Sequence, residues 1–164
     1  MPTGDPQLEP IFEEIETPTH GRVKACENLY PKQLKAEMAA TLAHNHPRIV
    51  ITPESDPAVI QEQLKSLAGG EDRVVLFTVT TNEHMQIVPK KFGEGELRHT
   101  NASRGDDVIA AGEGKIHADG LMSVSNGISG HYRCDASQSI RIAEDTLTSN
   151  DLSARFRPPE GEEP

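Results

Sequence analysis

The amino-acid sequence predicts an α+β fold: a mostly antiparallel sheet with two or three helices packed on it. Three observations lead there. Arg73–Thr80 (RVVLFTVT) is the most apolar run of the 164-residue chain and is rich in β-branched residues, as a central strand requires. Val59, Ile60, Leu64 and Leu67 recur at helical spacing between a proline-bearing start and Gly69-Gly70. After residue 80 the apolar runs are short and parted by turn residues, which is the pattern of hairpins.

Each element follows in chain order. Residues 1–20 carry four Pro and five acidic residues, and 157–164 (RPPEGEEP) has little to bury. Both read as loose or draped tails around a single domain near 21–156. Residues 31–45 read as a helix, with Pro31 in its first turn and Leu34, Met38 and Leu42 on one face; His46-Pro47 stops it. Residues 48–52 (RIVIT) form a short strand. Ser55-Asp56-Pro57 then opens a helix that ends at Gly69-Gly70, and 73–80 follows as a strand. If the strands at 48–52 and 73–80 lie parallel in one sheet, this crossover is right-handed. Thr81-Asn82 turns the chain into a hairpin partner at 84–88, and 93–95 is a loop. Val108–Ala111, Lys115–His117 and Leu121–Val124 suggest a meander with Asp119-Gly120 as a two-residue turn. Residues 136–146 fit a strand or a helix and are read as a helix.

Composition excludes several classes. Apolar residues make up 35% of the chain, aromatics 4%, and Trp is absent; about 45–50% apolar is typical. Net charge is −10, from 26 acidic and 16 basic residues, with no basic run beyond Lys90-Lys91. Such a chain repels phosphate backbones and anionic lipid, so neither nucleic acid nor a membrane is an expected partner. No segment approaches the ~20 apolar residues of a membrane span. Cys26 and Cys134 read as reduced thiols of a cytosolic protein unless the fold brings them together.

The chemistry concentrates between Arg98 and Arg133, where the polar clusters RHTNAS and SGHY flank a strand, the Asp119-Gly120 turn and a second strand. A hairpin can bring such clusters face to face. The candidate catalytic residues are His131 and His99, able to exchange a proton near neutral pH, and Glu113, an acid or base on a strand. The candidate ligand-binding residues are Arg98, Ser103, Arg104, Ser129, Gly130 and Tyr132. The two Arg can gather an anionic group, Tyr132 can stack on a ligand, and Ser129-Gly130 lets the backbone approach closely. Each also has a plain structural reading: imidazoles on backbone carbonyls, a core tyrosine, a rim salt bridge, a turn. No metal is expected, because His44 and His46 do not share a helix face and lack a third ligand.

The C-terminal half resembles a module found at the C-terminus of bacterial polymorphic toxins and in plant calmodulin-binding proteins with an IQ motif. Val74–Val79 is similar to its apolar first strand, and Arg98-His99-Thr100-Asn101-Ala102 stands where its His-Ser-Ser-Phe loop falls. Ala110-Ala111-Gly112-Glu113 matches its Ala-Gly-Glu strand, and Ser129-Gly130-His131-Tyr132-Arg133 its Ser-Gly-His-Tyr motif. The match spans about residues 73–150. Thr100, Asn101 and Ala102 depart from the loop's pattern, and Cys134-Asp135 stands where a proline is usual. The IQ motif is absent, so calmodulin binding does not carry over. The resemblance implies an architecture and a toxin-like, bacterial neighbourhood, cytoplasmic or delivered into a target cell's cytosol.

Three functions remain open on the sequence. The first is a small effector or toxin-type enzyme acting on a nucleotide-like ligand, with NAD-dependent ADP-ribosyl transfer as its most specific form; histidine, tyrosine, glutamate and arginine are residue types that grip a ribose and stabilise an oxocarbenium-like centre. The second is a non-catalytic module binding a ligand or a protein. The third is an acidic accessory or immunity-type partner that covers a basic protein, which the −10 charge suits.

Overall fold

A computed structural model describes residues 12–27, 29–36, 47–92, 95–129, 132 and 134–154. Its centre is a curled antiparallel sheet of seven strands: β1 (Phe12–Thr17), β2 (Gly21–Cys26), β3 (Ile49–Ile51), β4 (Arg73–Thr80), β5 (Met85–Pro89), β8 (Val108–Ile116) and β9 (Met122–Asn126). The order is β1-β2-β8-β4-β5-β3, with β9 also on β8. A two-stranded ribbon, β6 (Lys91–Phe92) and β7 (Gly95–Glu96), projects from the end of β5. The helices are α1 (Pro57–Ala68), α2 (His99–Ser103) and α3 (Ala136–Ser149). Among the described residues, none is long and apolar enough to cross a membrane. The α+β class is as the sequence predicts.

Local chemistry explains the helix ends. Asp56 caps α1 by accepting the Ala58 N–H at 3.0 Å, and Gly69 stops it in the left-handed region at φ +68°. Asp135 caps α3 by accepting the Gln138 N–H at 2.9 Å. Pro31–Gln33 form a 3-10 turn that runs into helical residues 34–36; the rest of the helix expected over 31–45 lies outside the described residues.

The two sheet faces differ. Val75, Phe77 and Val79 of β4, Met85 and Ile87 of β5, and Ile116 of β8 point to the main core. That core is closed by Ile60, Leu64 and Leu67 of α1 and by Ile142, Ala143 and Leu147 of α3. The opposite face carries Leu76 and Val88 under Leu97, which precedes α2, and Ala102 of α2. β3 and β4 run in the same direction but with β5 between them, so the crossover through α1 spans an inserted antiparallel strand.

Four expectations differ from the structure. Residues 12–17 are not part of a loose tail: β1 pairs with β2 along its full length, with Ile15 opposite Val23 and Glu14 and Glu16 flanking Arg22 on the outer face. Val108–Ala111 and Lys115–His117 are not separate strands; β8 runs unbroken to Ile116. Gly112 and Gly114 are strand residues because other chain crowds them: a Cβ at Gly112 would overlap the Asn126 carbonyl, and one at Gly114 would stand 2.6 Å from the Met122 side chain. Cys26 and Cys134 are not two reduced thiols. They are joined as a disulfide with Cα atoms 5.8 Å apart, because β2 meets β8 at Val108 and the connector into α3 crosses there. Finally, Gly95, expected in a loop with 93–94, is a strand residue that pairs with Phe92, while 93–94 lie outside the described residues.

Candidate functional site

The hairpin does join the two polar clusters, and it does so in the interior. α2 is a single short helix between Arg98, whose N–H donates to Asn101 Oδ1 at 2.7 Å, and Arg104, whose left-handed backbone (φ +58°) returns an N–H to the Thr100 carbonyl. Its first residue, His99, is 6% exposed and donates from Nε2 to the Gly112 carbonyl at 2.8 Å. Its last, Ser103, meets the hydroxyl of Tyr132 at 2.7 Å. Tyr132, 1% exposed, donates that hydroxyl proton to the Asp106 carbonyl at 2.7 Å, and its N–H reaches Ser129 Oγ at 3.2 Å. Because Tyr132 has one hydroxyl proton, Ser103 is the donor between them. The motif residues therefore hold one another: RHTNAS grips the Ala-Gly-Glu strand at one end and the Ser-Gly-His-Tyr connector at the other.

Glu113 is the exception that stays near solvent. It lies on β8 between Leu76 of β4 and Asn126 of β9, on the α2 face of the sheet. Lys90 Nζ stands 2.6 Å from Oε1, and Asn126 Nδ2 donates to Oε2 at 3.3 Å. The hydrogen bond from Lys90 holds the carboxyl below its usual range, against an upward push from burial, with help from Asn126 and from the charge of Lys90 and of nearby His99. Lys90 is correspondingly raised. Arg98 and Arg104 are exposed, and the charge of Arg104 acts on Arg48. Arg48 donates from Nε to the Ala102 carbonyl at 2.7 Å, and its guanidinium is lowered by burial first and then by the charge of Arg104. His131 and Gly130 lie outside the described residues.

A second constellation had no counterpart in the sequence reading. His117 follows β8 directly, its Nε2 3.1 Å from Ser123 Oγ on β9 and its Nδ1 3.2 Å from Asp72 Oδ1 in the α1–β4 connection. The signal for half of it was legible, since the Asp119-Gly120 turn makes residues 117 and 123 diagonal neighbours on one face. Asp72 was not, because it arrives from 45 residues upstream.

Three clefts accompany these groups. One, of ≈ 440 Å³, is lined by Asp72, Arg73, Val74, Lys90, Lys91 and Glu96, and so reaches both Glu113's lysine and His117's aspartate. A larger one, ≈ 650 Å³, runs between α1 and the β3 end past Arg48, Glu62 and Arg73. The third, ≈ 230 Å³, contains buried Glu83. Glu83 sits at φ +63° and accepts the Thr19 N–H through both oxygens at 3.1 and 3.2 Å, with His20 between it and Asp145. That arrangement ties the β1–β2 turn to the β4–β5 turn. Among the described residues, no three His, Cys, Asp or Glu side chains are grouped to hold a metal ion.

Compared with models of protein families, with curated proteins and with solved structures, the chain matches none.

Proposed function

We propose that this chain is a small effector-type enzyme domain that acts on an anionic, nucleotide-like ligand at the α2 face of the sheet. One observation carries the reading. Glu113, a carboxylate held below its usual range, pairs with Lys90, which lines a cleft together with Arg73 and Lys91 and with the acidic Asp72 and Glu96. Three cations in one cleft, one of them paired with a carboxylate, suit a ligand with phosphate at one end and an acid–base centre at the other. The toxin-like motifs supply the effector context. The Cys26–Cys134 bond supports passage through an oxidising compartment before delivery to a target cell.

The ligand class is tested by thermal shift and calorimetry with ADP, ATP and NAD on the whole chain. A ligand at ~100 times its Kd stabilises the fold by about 2.7 kcal/mol. Glu113→Gln and Lys90→Met should abolish the shift while leaving the unliganded melting temperature nearly unchanged, since solvent screens a pair whose lysine lies at the surface. Nicotinamide release from NAD decides the ADP-ribosyl form. Stabilisation by no nucleotide would overturn the proposal. A second reading, a non-catalytic binding module, is favoured by the burial of His99, Ser103 and Tyr132, which act there as ties of the fold. Binding without turnover would select it.

A further inference from the structure

Asp72, His117 and Ser123 are joined in the order that activates a hydroxyl nucleophile. A carboxylate at His117 Nδ1 accepts a proton there, which leaves Nε2 with its lone pair facing Ser123 Oγ 3.1 Å away. The serine hydroxyl is then the donor, and its proton is already directed at a base. The hairpin does not need this arrangement for closure. His117 N–H to the Leu121 carbonyl at 2.8 Å, Gly120 N–H to the His117 carbonyl at 2.9 Å, and Leu121 N–H to Asp119 Oδ1 at 3.1 Å already fix the turn. The turn is braced further by Gln61 Nε2 on the Asp119 carbonyl at 3.0 Å. The imidazole is thus surplus to the turn and committed to the serine.

The surroundings fit the same chemistry. His117 keeps 20% of its side chain in solvent and Asp72 55%, so a substrate can reach the pair. Lys115 lies directly across the β8–β9 pair from Ser123, on the same face, with Cβ atoms at a spacing of about 5 Å. Asp72 lines the ≈ 440 Å³ cleft whose other walls carry three cations, Arg73, Lys90 and Lys91, against one further acid, Glu96.

We propose that Ser123 is a nucleophile, His117 its general base, Asp72 the positioning residue that orients the imidazole, and that the substrate is a carboxylic ester bearing an anionic group. Ser123 Oγ bonds to the ester carbon as its proton passes to His117 Nε2, and the carbonyl electrons move to an oxygen facing Lys115. The ester C–O bond then breaks, and His117 returns the proton to the departing alcohol. Water next gives a proton to Nε2 as its oxygen bonds to the acyl carbon; the acyl–Oγ bond then breaks, and the Nε2 proton passes to Ser123 Oγ, releasing the acid and restoring both serine and imidazole. Ester and water become acid and alcohol, and no other reactant is required.

The experiment treats the whole chain with an alkyl fluorophosphonate and follows intact mass, with peptide mapping of the unsubstituted protein to locate the adduct. Hydrolysis of p-nitrophenyl acetate is measured in parallel. One adduct on Ser123 is expected, absent in Ser123→Ala and formed at least about 10²-fold more slowly in His117→Gln. Asp72→Asn should slow labelling at an unchanged melting temperature, and Asp72→Glu should restore part of the rate, which a purely structural aspartate would not do. No adduct under excess probe, or an adduct mapped to any other residue, overturns the proposal, and the mapping needs no variant to fold. Labelling of Ser123 in a protein that no nucleotide stabilises would leave this site standing and remove the ligand proposed for Glu113.

Discussion

The hydroxyl of Tyr132 is enclosed by Ser103 and the Asp106 carbonyl, and it holds the Ser-Gly-His-Tyr connector against the loop that follows α2. Tyr132→Phe keeps the ring's packing against Cys26, Val108 and Ala111 but leaves the buried Ser103 hydroxyl without its acceptor and the Asp106 carbonyl without its donor. A loss of about 1–3 kcal/mol in urea denaturation is expected; an unchanged midpoint would mean the network is not a tie. Asp107 works in the opposite sense. Burial raises its carboxyl above the ordinary range, and Glu13 and Asp106 add to the shift. A carboxyl raised in the folded state favours folding on the acid side and opposes it as pH climbs through the folded value. Asp107→Asn should therefore stabilise the protein at neutral pH, by up to about 0.5 kcal/mol for so exposed a position. The gain should vanish below the ordinary aspartate range, and melting curves across pH test both halves. At this scale residue types are legible in the sequence but their assignments are not. His99 and Tyr132 were legible as special, yet only the fold reveals that their polar atoms are consumed by Gly112, Ser103 and Asp106.

Among the elements, those defined by their own residues were legible and those defined by distant neighbours were not. α1 carries its cap, its first-turn proline and its terminal glycine within fourteen residues, and β4 announces itself by seven apolar or β-branched positions after Arg73. β1 has only Phe12 and Ile15 to mark it as a strand, so its order depends on pairing with β2, which no local pattern records. Gly112 and Gly114 interrupt the apolar pattern of β8, yet both are strand residues that make room for β9 and its continuation. Gly112→Ala tests that account. Its new methyl group would collide with the Asn126 carbonyl and with the fully buried Phe77 at 2.9 Å. Overpacking of this kind destabilises by about 1–3 kcal/mol or more. The expected result is a lower melting temperature together with lost protection of β9 amides in hydrogen exchange. Normal protection would show that β9 can move away freely, and that the glycine is not required.

Over the whole molecule, the Cys26–Cys134 bond is the constraint that local pattern could least reveal, because 108 residues separate its ends. It fastens the connector before α3 to the last residue of β2, just where β2 touches β8 through a single residue pair, Cys26 with Val108. That junction has few backbone bonds of its own, so the covalent link bears on whether the β1–β2 hairpin stays docked. In the chain-entropy account, closing a loop of about 100 residues stabilises a fold by about 4.7 kcal/mol, and removing a native disulfide typically costs 2–5 kcal/mol. Reduction, or the Cys26→Ser and Cys134→Ser double substitution, should lower stability within that range. The loss should also be uneven. Amides of β1, β2 and residues 129–135 should exchange faster, while β4 and β5, whose core lies under α1 and α3, should keep their protection. Uniform loss of protection would mean that the hairpin and the central sheet unfold as one unit. An unchanged midpoint would mean that the sheet holds the hairpin without the bond. The uneven outcome is the one the topology favours, because β8 pairs with β4 over most of its length and with β2 at one position.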